Sequence, residues 1–92
     1  MLHVFFGKHC DRCSWIKSRI PEDYPHRICW HEIERPDPTT FAMVDFYGIE
    51  ERIADKLPVL VSDAGNGDSP SITNEINVIA NVLGIRDFFV ET

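Results

Sequence analysis

Two thiols set two residues apart, Cys10-Asp11-Arg12-Cys13, lie between an apolar run and an amphipathic stretch, and this arrangement constrains the fold more than any other feature of the chain. Leu2-His3-Val4-Phe5-Phe6, closed by Gly7, predicts a short buried strand. From Cys13 onward Ile16 and Ile20 recur at helical spacing, and Pro21 stops the element. The cysteines therefore fall where a strand hands over to a helix. There the first sulfur lies near backbone N–H groups without helical partners and near the positive end of the helix dipole, which favours thiolate over thiol. Two thiols at this spacing can close on each other, as in a dithiol redox centre.

Further along, Arg27 to Ile33 is rich in β-branched and aromatic residues and predicts a second strand, bounded by Pro25 and by Arg35-Pro36-Asp37-Pro38. Thr39 or Thr40 then caps a helix in which Ala42, Phe46, Ile49 and Ile53 share a face, with Gly48 a weak point inside it. On that pattern Met43, Phe46 and Tyr47 belong to the core. Leu57-Pro58-Val59-Leu60-Val61 predicts a third strand with proline at its mouth. The turn Ala64-Gly65-Asn66-Gly67-Asp68 leads into a fourth at Ser69-Pro70-Ser71-Ile72. Thr73 caps a last helix carrying Ile76, Ile79, Ala80 and Leu83, ended by Gly84, and Phe88 and Phe89 dock on the core. The predicted order is β-α-β-α-β-β-α, an α/β fold with a four-stranded mixed sheet and helices on both faces.

Ninety-two residues suffice for one domain with a single core, spanning 1–92. A formal charge of −6 repels phosphate backbones and argues against nucleic acid as a partner. The first residues have neither a basic n-region nor a long apolar h-region, and no stretch is long enough to span a bilayer, so a cytoplasmic protein with no membrane partner is expected. In that compartment three cysteines do not build a structural disulfide framework. The close pair then reads as catalytic or metal-binding, and Cys29 as a small core residue. Trp15 and Trp30 read as packing residues, and His9 as a solvated loop residue.

Over nearly the whole chain, the Cys-x-x-Cys after the first strand and Leu57-Pro58-Val59 opening the third resemble the glutaredoxin branch of the thioredoxin superfamily. The resemblance implies thiol–disulfide exchange, with Cys10 as attacking thiolate, Cys13 as resolving thiol and Pro58 as a cis proline facing them. It makes Lys8, Arg12, Leu57, Thr73 and Asn74 candidate substrate contacts, Lys8 standing one residue off the lysine usual in the family. It implies a monomer with no bound cofactor that reduces protein or glutathione mixed disulfides, ribonucleotide reductase being a typical client. The reductant is glutathione or a thioredoxin reductase.

Besides the offset of Lys8, the chain departs from the family pattern at two places. Asp11-Arg12 replaces the usual Pro-Tyr, so an acid and a base stand where a rigid and an aromatic residue are common. Thr73-Asn74-Glu75 replaces the Gly-Gly-Asp-like stretch that holds a γ-glutamyl carboxylate, and Glu75 opposes an anion there. Three alternatives use the same cysteines. One is a non-catalytic binding module of the same fold. Another is a zinc site of Cys10, Cys13, His26 and Cys29, weakened because His26 and Cys29, three apart in a strand, point to opposite faces. The third is an iron–sulfur cluster bridged between two chains through Cys10.

Overall fold

The computed structural model describes residues 1–90, so Glu91 and Thr92 at the end of the tail lie outside the described residues. Strand β1 (Leu2–Phe6) leads through the cysteine loop into helix α1 (Asp11–Arg19), and β2 (Ile28–Glu32) follows. Then come α2 (Pro38–Tyr47), α3 (Glu50–Asp55), β3 (Val59–Ser62), β4 (Ser71–Thr73) and α4 (Ile76–Val82). The strands form one mixed sheet in the order β2-β1-β3-β4. β1 runs parallel to β2 and antiparallel to β3, and β3 pairs antiparallel with β4. A parallel β1–β2 pair requires a crossover, which α1 supplies, while the turn after Ser62 suffices for the antiparallel pair.

Side chains alternate across the sheet, and each face is covered. Leu2, Val4 and Leu60 point to one face, where they join Ile16 of α1 with Ile76, Ile79 and Ala80 of α4. Phe5, Val59 and Val61 point to the other, where Ile49 completes a second cluster flanked by Met43, Val44 and Tyr47 of α2. Central strands β1 and β3 are thus buried on both faces, with His3 the polar exception in β1, which is why they read as hydrophobic runs.

The single helix predicted after Thr39 is in fact two. Gly48 adopts the left-handed conformation (φ 63°) and ends α2 by donating its N–H to Asp45 O and Val44 O. The chain turns, Ile49 becomes the residue before α3 and is fully buried, and Phe46 is left 80% exposed rather than in the core. Met43 and Tyr47 are half-buried, and Ala42 is exposed. The element order is therefore β-α-β-α-α-β-β-α. The start of α2 also differs from expectation: Asp37, not a threonine, is the cap, its Oδ1 accepting the Thr40 N–H at 2.7 Å with Pro38 as the first helical residue. Aspartate is a strong N-cap, and proline costs nothing where its N–H has no partner. Likewise Thr73 closes β4 instead of capping α4, and Glu75 precedes the helix. In the tail Phe88 is 73% exposed, and only Phe89 docks.

Under α2 the sheet carries a polar chain. His3 Nδ1 lies 3.0 Å from His31 Nε2, and His31 Nδ1 lies 3.2 Å from the Thr40 hydroxyl. His31 also stacks on Phe5, and Tyr47 donates to Asp63 at 2.8 Å beside them. Burial, then the neighbouring His31, holds His3 below the ordinary histidine range despite Asp63. Burial does the same to His31 against the pull of Asp37. An N···N hydrogen bond needs one nitrogen deprotonated, so protonating both rings breaks it. Because the folded state keeps these rings neutral while the unfolded chain protonates them near pH ~6.5, stability from this pair is complete above that pH and falls as pH drops below it. Urea midpoints measured from pH 7.5 to 5 are expected to fall through that window, with both imidazole signals titrating below 6.5 by NMR. An imidazole midpoint above 6.5 in the folded protein contradicts this.

Candidate dithiol site

The site lies at the C-terminal end of β1. Gly7 leaves the strand where space is tight: a Cβ there would lie 3.0 Å from Leu57 Cδ1, 3.2 Å from Glu34 Oε1 and 3.7 Å from Cys10 Cβ, so those side chains would have to give way. This close approach lets the cysteine loop sit against the loop that precedes β3. Glu34 fixes the same loop by accepting the Lys8 backbone N–H at 2.9 Å.

Cys10 is the N-cap of α1. Its carbonyl accepts the first helical hydrogen bond, from Ser14 N–H at 3.0 Å, and its sulfur accepts the Cys13 N–H at 3.1 Å. A thiolate at this position receives an N–H donor and the positive end of a nine-residue helix. Cys10 and Cys13 are joined as a disulfide, with Cα atoms 5.2 Å apart. The two sulfurs differ in access. Cys13, on the buried face of α1, is 4% exposed, whereas Cys10 lines an open groove of about 610 Å³.

That groove has walls from four parts of the chain: His9 to Arg12 at the cysteine loop, Ile53 of α3, Lys56 and Leu57 before β3, and Phe89 and Val90 of the tail. The Leu57–Pro58 peptide bond is cis, and Pro58 is buried. Arg12 ties the two sides together, its Nε donating to Leu57 O at 3.0 Å across 45 positions of sequence. Its guanidinium also stands 5.8 Å from the centre of the Phe89 ring. Asp11, the other residue between the cysteines, is exposed at the rim.

Of the residues expected to contact substrate, the structure brings Arg12 and Leu57 into the groove with Cys10, while the buried Pro58, expected to face the cysteines, is not among the residues that line it. Lys8 is exposed and does not line it; the lysine that does is Lys56, paired with Glu75 at 2.8 Å. Thr73 and Asn74 face other tasks. The Thr73 hydroxyl accepts the Glu75 N–H at 3.1 Å, and the Asn74 amide donates to Arg52 O and Asp55 Oδ2 at the end of α3. Ile53, Lys56, Phe89 and Val90 were not legible as site residues, because nothing local marks them; only the Phe88-Phe89 pair signalled a docked tail. His9 lines the groove as well as being exposed.

Cys29 lies beside His3 on β1, at the far end of the strand from the cysteine loop, with its sulfur 3.7 Å from that of Met1. His26 is exposed and meets Tyr24 edge-on. The four-residue zinc set proposed by spacing is thus not assembled in this structure, and among the described residues no group of three or more His, Cys, Asp or Glu could hold a metal ion. No helix among them is long and apolar enough to cross a membrane. Comparison with known proteins found no matching family model, curated protein or solved structure.

Proposed function

We propose that this protein is a small glutaredoxin-like thiol–disulfide oxidoreductase of the thioredoxin fold, with Cys10 as nucleophile and Cys13 as resolving thiol. The observation that carries this is the asymmetry of the pair: Cys10 opens into a groove with its sulfur on a helix N-terminal N–H, while Cys13 is buried one turn behind it. The mixed sheet with helices on both faces and the cis Leu57–Pro58 bond beside the groove agree with the sequence resemblance.

In the reduced protein the Cys10 thiolate attacks one sulfur of a substrate disulfide. A Cys10–substrate disulfide forms, and the other substrate sulfur leaves as a thiolate that takes a proton from water. Cys13 then loses its proton and attacks the Cys10 sulfur, releasing the second substrate thiol and leaving the Cys10–Cys13 disulfide. Two electrons have passed from the protein dithiol to the substrate. An external dithiol restores the starting state by the same exchange in reverse.

A protein dithiol fits the groove better than glutathione. The place where a γ-glutamyl carboxylate would bind is held by the Glu75 carboxylate on Lys56, and the Asn74 amide is engaged by Asp55. Insulin reduction is expected to run with NADPH and thioredoxin reductase at least about ten-fold faster than with glutathione and its reductase, a difference of ~1.4 kcal/mol. A faster glutathione-coupled rate overturns the choice of reductant. Failure with both, in protein with intact thiols, overturns the enzyme in favour of a binding module.

A further inference from the structure

The tail forms a wall of the Cys10 groove, and Asn77 is one of the side chains that hold it there. Asn77, in the first turn of α4, grips the backbone of Phe89 on both sides: its Oδ1 accepts the Phe89 N–H at 2.9 Å and its Nδ2 donates to the Phe89 carbonyl at 3.2 Å. Asparagine is a poor helix former, and here its carboxamide is turned away from the helix to act as a substitute strand partner. The grip fixes the Phe89 ring edge-on to Trp15, with centroids 5.2 Å apart, and next to the Arg12 guanidinium. Phe89 thereby lines both the groove at Cys10 and a second groove that continues from it past Lys56 to α4. Ile53 and Leu57 line the groove at Cys10 as well, beside His9, Asp11, Arg12 and Lys56. Cys10 thus opens into a groove in which aromatic and aliphatic side chains stand among polar and charged ones.

We propose that Phe89 is a specificity-determining residue, with Asn77 as its positioning residue: the groove prefers peptide disulfides whose cysteine is flanked by a large apolar side chain, which packs against Phe89. This rests on Cys10 being the exchange nucleophile. A polar or absent neighbour leaves the apolar walls wet, whereas an apolar one removes them from water. The exchange step and its electron count are unchanged; only the rate of capture differs.

The test uses the pre-reduced full chain in single turnover, so that no reductase enters. Three substrates are compared: a peptide disulfide with phenylalanine beside each cysteine, its serine counterpart, and hydroxyethyl disulfide. The intact protein is expected to reduce the phenylalanine peptide about ten-fold or more faster than the serine peptide, as an apolar pocket discriminates. Phe89→Ala should bring that ratio to about one, and Phe89→Leu should restore most of it. Asn77→Ala should repeat the Phe89→Ala result and change Trp15 fluorescence. Asn77→Asp, which keeps the acceptor and loses the donor, should fall between. Equal rates on the two peptides, or a ratio that survives Phe89→Ala, overturn the proposal with exchange itself intact. No reaction of Cys10 with any of the three overturns the exchange chemistry instead.

Discussion

Cys10→Ser is expected to lower disulfide reduction by on the order of a thousand-fold or more, to the uncatalysed background, because among the described residues no other sulfur lines the groove. Cys13→Ser is expected to do something different. The first exchange still occurs, since Cys10 keeps its place at the start of α1 and the backbone N–H of residue 13 still meets its sulfur. The second exchange has lost its thiol. The Cys13→Ser protein should therefore accumulate a substrate adduct on Cys10, seen by intact mass and reversed by dithiothreitol. An adduct that forms on Cys10→Ser protein instead, through Cys13, reverses the two roles. Alkylation gives an independent check: with iodoacetamide at neutral pH, reduced Cys10 should label well before buried Cys13 and half-buried Cys29.

A large effect on stability is expected at Ile49. It is fully buried between α2 and α3 against Phe5, Val59 and Val61, so Ile49→Ala should cost about 2–5 kcal/mol, measured by urea unfolding. In a domain of this size each kcal/mol corresponds to roughly 4–8 °C in melting temperature, so the loss should show plainly in a thermal scan. Phe46→Ala, three residues away, should change stability by less than about 0.5 kcal/mol, because its side chain is 80% exposed. If Phe46 proved the costlier of the two, α2 and α3 would have to pack as one continuous helix face, contrary to the break at Gly48.

That pair of residues shows how far the chain could be read in advance. Ala42, Phe46, Ile49 and Ile53 satisfy a helical repeat, and the repeat is misleading because a single backbone change at Gly48 reorients everything after it. Glycine was visible as a weak point, but whether a helix passes through such a residue or ends there is decided by what the next side chain can bury. Ile49 finds the sheet, and the helix ends. Thr73 failed for a related reason: a hydroxyl that can cap a helix can equally close a strand, and pairing of β4 with β3 settled it.

The dithiol loop was legible because its determinants are local. A strand-forming run, a glycine, two cysteines and a helical repeat occupy consecutive positions, and the dipole and N–H donors at Cys10 follow from where the helix begins. Pro58 was legible as a landmark, though not its distance from the cysteines. The amino-acid sequence by itself thus determined the strands β1 and β3, the helix that Cys10 caps and the chemistry two close thiols permit. The tertiary structure alone decided the surroundings: the parallel register that sets His3 against His31, the Arg12–Leu57 tie, the exchange of Lys8 for Lys56, and the Phe89 wall held by Asn77. These contacts join residues far apart in sequence. Their cost is loop closure and their gain is burial, and neither is written in any short window of the chain.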